Sequence, residues 1–169
     1  MNIKGAVMYF EEFNDNAHIW IYGFNRTMTE NEAQLVDGIF TEFVSTWKSH
    51  GNPVNGKSLL LHNRFVILAV SRENYVSGCS IDSCVRIFKQ LKESNNLDGL
   101  DLDLVFYRSG DQIHSTGRSE FQDLIERGEV GSRTMVFDTT IHTVGTLRAG
   151  KFEQPVSESW HSRYFSLSA

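Results

Sequence analysis

The sequence predicts an α+β fold, with two helices lying on one face of a mainly antiparallel sheet and a small strand–helix–strand segment after them. Two observations carry this prediction. Apolar residues recur at helical spacing in two stretches, Leu35-Val36-Ile39-Phe40-Phe43-Val44-Trp47 and Ile81-Cys84-Val85-Phe88-Leu91. Each stretch follows a region of β-rich segments separated by turn residues, so the order reads hairpin, helix, hairpin, helix. Both apolar stripes are buried if the helices share one face of a four-stranded sheet.

Residues 6–13 and 17–25 read as strands, with Ile19, Ile21 and Tyr22 supporting β structure. Asn14-Asp15-Asn16 turns between them. Thr29 and Glu32 have the spacing of a capping box, which starts the first helix. His50-Gly51 before Pro53 is a stop signal for it. Residues 58–62 and 65–69 form a second hairpin around Asn63-Arg64, with one long bent strand as the alternative. Gly78 turns the chain into the second helix, which Asn95-Asn96 ends.

Asp98-Gly99 marks a change of organisation. Residues 100–107 alternate into a strand, and Ser109-Gly110-Asp111 turns it. Ser119-Glu120-Phe121-Gln122 reads as a second capping box, with Ser119 at the cap and Gln122 three positions later. It opens a short helix with Phe121, Leu124 and Ile125 facing inward, and Gly128 closes that helix. Residues 134–137 and 141–144 read as short strands. The division is thus an α+β domain over 1–98 and a small segment over 99–169, which packs into the same domain as the alternative.

Composition narrows the function classes. With 169 residues, 40% hydrophobic and 22% charged, the chain is of globular type. A net charge of -5 and scattered basic residues argue against a nucleic-acid surface. The longest apolar run, residues 65–70, is too short to span a bilayer, and residues 1–12 contain no apolar core for export. Two cysteines, Cys79 and Cys84, make no disulfide framework, and a reducing cytoplasm is expected.

Cys79 is the candidate catalytic residue. It lies just before the second helix, where amide dipoles favour a thiolate. The alternative is a half-buried cysteine packing a turn. Ser80, Asp82 and Ser83 offer oxygens to the free amides of that helix start. Asp82 opposes a thiolate, and Arg86 offsets Asp82. His18, His62, His114, His142 and His161 are the candidate bases. Cys84 belongs to the apolar stripe. A second candidate site is the aromatic and basic tail with Trp160, His161 and Arg163, which either meets a partner or docks its rings on the core.

Gly51-Asn52-Pro53-Val54-Asn55-Gly56-Lys57-Ser58 satisfies the phosphate-loop pattern. A working loop needs a strand before it and a helix after it, whose amides hold the phosphates. Here a helix precedes it and a strand follows, so ATP is not an expected ligand. No cofactor motif is recognised, and Cys79 and Cys84 lack metal-ligand spacing.

Met8-Tyr9-Phe10-Glu11-Glu12-Phe13, Asn63-Arg64-Phe65, Gly78-Cys79-Ser80-Ile81-Asp82-Ser83 and Ser159-Trp160-His161 resemble an uncharacterised Bacteroidota family of about this length. Its members often carry the label "ABC transporter ATPase". That label is treated as an error, because this chain has neither the signature motif nor the length of such an ATPase. Residues 106–147 resemble a GYF-type adaptor module through a strand, a capped helix with Leu124-Ile125, Gly128, then Thr134 and Val136. The second resemblance implies binding of a partner protein through an aromatic surface. The expected function is a protein-binding or regulatory module, with a thiol enzyme or redox protein using Cys79 as the alternative.

Overall fold

The computed structural model describes residues 9–73 and 78–167, with the backbone alone for residues 78–80. In chain order the elements are β1 (His18–Gly23), α1 (Glu30–Thr46), β2 (Lys48–Ser49), β3 (Asn52–Pro53), β4 (Gly56–Leu61), β5 (Phe65–Val70) and α2 (Gly78–Asn95). They are followed by β6 (Leu104–Ser109), β7 (Gln112–Gly117), α3 (Arg118–Glu126), β8 (Met135–Phe137), α4 (Val144–Arg148), β9 (Glu153–Pro155), a 3-10 turn (Val156–Glu158) and α5 (His161–Tyr164). The fold is α+β, and every strand pairing among the described residues is antiparallel.

Two sheets stack. In the first, ordered β1-β5-β4, alternate residues point to opposite faces. Trp20, Tyr22, Leu60, Val66, Leu68 and Val70 meet α1 and α2 through Val36, Phe40, Cys84 and Phe88. Ile19, Ile21, Phe65, Ile67 and Ala69 point the other way, onto Phe106, Ile113 and Phe137 of the second sheet. That sheet is ordered β7-β6-β8-β9. Its outer face carries Val105, Tyr107 and Val136, which α3 covers with Phe121 and Ile125. The layers therefore run helices, sheet, sheet, helix. β5 is buried along its whole length because both of its faces are covered. Where the sheets touch, Gly23 lies against Phe106, and a Cβ at that position would run into the ring.

Several expectations hold. α1 and α2 lie on one face of the first sheet. Thr29 and Glu32 form the capping box on α1. The second hairpin forms as β4 and β5, with His62 and Asn63 both at positive φ in the turn.

Others are corrected. Of the first expected strand, residues 6–8 lie outside the described residues and Tyr9–Phe13 form a turn. Arg148 donates to the Tyr9, Phe10 and Phe13 carbonyls. β1 pairs instead with β5, so among the described residues the first sheet has three strands. α1 ends at Thr46, before Gly51. His50 and Gly51, at φ 52° and 80°, turn the tiny β2–β3 hairpin instead. The apolar stripe of α1 centres on Ala33, Val36, Phe40 and Val44, which leaves Leu35 at 47% exposure.

α3 begins with Gly117 as an uncapped N-cap, so Ser119 lies inside the helix and forms no capping box. Its end is as expected: Gly128, at φ 74°, donates to the Ile125 carbonyl while Glu129 donates to that of Leu124. Residues 141–144 are not a strand. Thr143 makes a single bridge to His18, and its hydroxyl then accepts from the Thr146 amide to cap α4. β7 and β9 were not expected from the sequence.

Candidate functional site

α2 starts at Gly78, so the backbone of Cys79 lies within the first helical turn and not before it. The side chains of Cys79 and Ser80 lie outside the described residues. Asp82 and Arg86 are exposed and Ser83 is half-buried. Cys84 is fully buried, and burial pushes its thiol up to about 12 despite a hydrogen bond with Tyr22. Cys84 is thus a core residue and a poor nucleophile.

The candidates on α2 and those on α5 are not brought together. α2 packs into the core beneath the first sheet, whereas Trp160 packs with Phe121 and Phe165 on the far side of the second. His161 is 1% exposed. Its Nδ1 lies 2.6 Å from the Ser159 hydroxyl, and burial lowers its pKa to about 4. It therefore supports the tail from within as a neutral ring. Arg163 is exposed, and Trp160 is half-buried with its ring stacked 3.9 Å from that of His161.

The residues that sequence reasoning missed lie beside Trp160. Arg118 opens α3, and its guanidinium is 5.7 Å from the Trp160 ring centroid and 4.9 Å from that of Tyr164. Its buried Nε has no hydrogen-bond partner, and neither does Trp160 Nε1. The hydrogen bond that Arg118 does make, from Nη2 to the Leu102 carbonyl, is 3.5 Å long. Leu102 and Tyr164 stand at 88% and 56% exposure. A cleft of about 460 Å³ runs alongside, lined by Asp103, Arg118, Ser119, Gln122, Asp123, Tyr164 and Phe165. The expected aromatic and basic tail pointed toward this site, but nothing in the local pattern singles out Arg118 as its central cation.

A second cleft, of about 480 Å³, lies at the edge between the sheets and is lined by Thr27, His62, Arg108, Asp111, Gln112, Ile113 and His114. Its cation is already committed. Arg108 makes a two-pronged pair with Glu153, at 2.6 and 3.1 Å. Partial burial and the Arg108 charge lower the pKa of His62. This cleft therefore has less to offer an incoming group than the one at Arg118. Among the described residues no group of three or more His, Cys, Asp or Glu side chains is placed to hold a metal ion.

At the phosphate-loop pattern, Gly56, Lys57 and Ser58 pair with β5 as part of β4. Lys57 also faces Glu12 at 3.6 Å. The segment that follows is a strand, as its sequence predicts, so no helix N-terminus stands over it. Among the described residues no helix is long and apolar enough to cross a membrane. Comparison of the chain with family models, with curated proteins and with solved structures gives no match.

Proposed function

We propose that this chain is a protein-binding module that acts without nucleotide hydrolysis, and that its partner surface is the cleft between α3 and α5. One observation carries this reading: Arg118 lies against two adjoining aromatic rings, held by one hydrogen bond of 3.5 Å, beside the exposed Tyr164 and Leu102. Packed against two rings, a guanidinium has less rotamer freedom left to lose on binding. Arginine and aromatic residues together are the usual anchors of protein interfaces. The GYF-type resemblance, which covers residues 106–147 and so includes α3, implies binding through an aromatic surface. A reducing cytoplasm is the proposed location, in keeping with Cys84 as a free buried thiol.

Selection of a random peptide display library on the immobilised chain tests the proposal. Peptides should be enriched whose affinity drops at least tenfold on Tyr164→Ala and stays unchanged on Leu35→Ala, a surface substitution on the opposite side. Failure to enrich any peptide, or equal loss with both variants, would overturn it.

A further inference from the structure

On the flank of α3 the chain already holds a short extended segment of its own. Beyond α5, Phe165 leaves the helix at φ -95° and ψ 144°, an extended conformation. Its ring is 5% exposed and lies 4.8 Å from that of Phe121. Leu167, two positions on, packs against the same core cluster. Between them, the side-chain amide of Gln122 grips the backbone of Ser166. Nε2 donates to the Ser166 carbonyl and Oε1 accepts from the Ser166 amide, both at 3.0 Å.

A glutamine amide offers the same donor and acceptor pair as a peptide group. Gln122 therefore reads the backbone as an edge strand would, without regard to the side chain between the anchors. Selectivity comes from the two flanking positions, where an aromatic ring and an aliphatic side chain pack inward. Ser166 itself is exposed, as a position without a pocket must be.

We infer that the flank of α3 is a docking site for an extended peptide with an aromatic residue followed, two positions on, by an aliphatic one, and that Phe165-Ser166-Leu167 is its resident occupant. This rests on the reading of the α3–α5 cleft as a partner surface and adds the chemistry of the partner. A partner segment of this pattern competes with the chain's own residues, so its observed affinity is reduced by the fraction of time the resident segment is seated.

The probe is a fluorescein-labelled peptide with the sequence of residues 163–168, titrated against the full chain by fluorescence anisotropy. Two variants loosen the resident segment. Phe165→Ala empties the ring pocket. Ser166→Pro removes the amide that Gln122 grips, and the extended backbone of Phe165 already suits a residue before proline. Either variant should bind the probe at least tenfold more tightly than the unmodified chain, and adding Gln122→Ala should abolish the gain. If Phe165→Ala fails to fold, Ser166→Pro decides alone, since its side chain is exposed. No gain in a folded variant, a gain that survives Gln122→Ala, or equal binding of a scrambled probe would overturn the inference. A display-selected peptide that binds the unmodified chain and Ser166→Pro equally through Tyr164 would remove this inference and leave the module reading standing.

Discussion

Among the described residues Arg64, Arg108 and Arg118 rest on aromatic rings, and the first and last of them do opposite work. Arg64 lies where the two sheets meet, 5.7 Å from the Phe106 ring centroid and 4% exposed. Its nitrogens donate to the carbonyls of Phe24, Asn25 and Ile113 and to the hydroxyls of Thr27 and Ser115. Those acceptors come from the loop after β1 and from β7, so one side chain ties the two sheets together. Arg118 also packs on rings, but its Nε has no acceptor and it faces a cleft. A guanidinium whose donors are satisfied holds the fold. One held by a single long hydrogen bond beside an exposed aromatic ring is a candidate to meet a partner.

The largest effect expected from this contrast is on stability. Arg64→Ala leaves several buried acceptors unpaired and should cost about 3–5 kcal/mol in urea unfolding. Arg118→Ala should cost no more than about 1 kcal/mol. Equal costs would erase the distinction between the two regions. Arg64 also stays charged in its site. Burial lowers its pKa to about 10, still well above neutral pH.

The next effect depends on pH and on the buried ring stacked against Trp160. His161 takes up a proton in the folded chain only near about 4, against the ordinary value of 6.5. Between those values the unfolded chain binds more protons, so stability rises with pH across that window. The contribution is complete above 6.5 and is lost as pH falls toward 4, on the order of 3 kcal/mol. Burial lowers the pKa of His18 and His62 as well, and they add to the slope with the same sign. Chemical unfolding at pH 7 and pH 4.5 should show the loss, and His161→Gln should shrink it. A His161→Gln variant with an unchanged pH slope would mean that the ring is not held neutral.

Smaller effects test the alternatives. Iodoacetamide should leave Cys84 unmodified until the chain unfolds, because its thiol is buried and pushed up to about 12. Any early adduct, located by mass spectrometry, should fall on Cys79. Early labelling of Cys84 would mean that the core beneath the first sheet opens. Calorimetric titration with ATP and Mg²⁺ should show no micromolar binding that Lys57→Ala removes, because Lys57 lies on a strand.

Local signals announced the parts of this fold that local chemistry specifies. Thr29 and Glu32 satisfy each other's backbone amides within one turn, so their spacing alone predicts the start of α1. The aliphatic residues on either side of Asn63-Arg64 predict the hairpin that β4 and β5 form. Sequence reasoning failed where distant residues decide. The segment of β7 has Ile113 as its one aliphatic residue and becomes a strand by pairing with β6. Residues 141–144 are β-branched at three of four positions, yet Thr143 caps a helix through the Thr146 amide. Helical spacing placed Leu35 in the apolar stripe of α1, but the packing of Val36 and Phe40 against β4 and β5 turns it outward. At the site, the aromatic tail was legible as a docking segment or binding surface. Arg118 was not, because Trp160 and Tyr164 reach it from far along the chain.

Whether the Arg118 cleft serves binding or folding is decided by two readouts on Arg118→Ala taken together: affinity for a display-selected peptide and the urea unfolding midpoint. We expect at least a tenfold loss of affinity, with a midpoint shift equivalent to no more than about 1 kcal/mol. Unchanged affinity, or a loss of stability as large as that of Arg64→Ala, would contradict a binding role for the cleft.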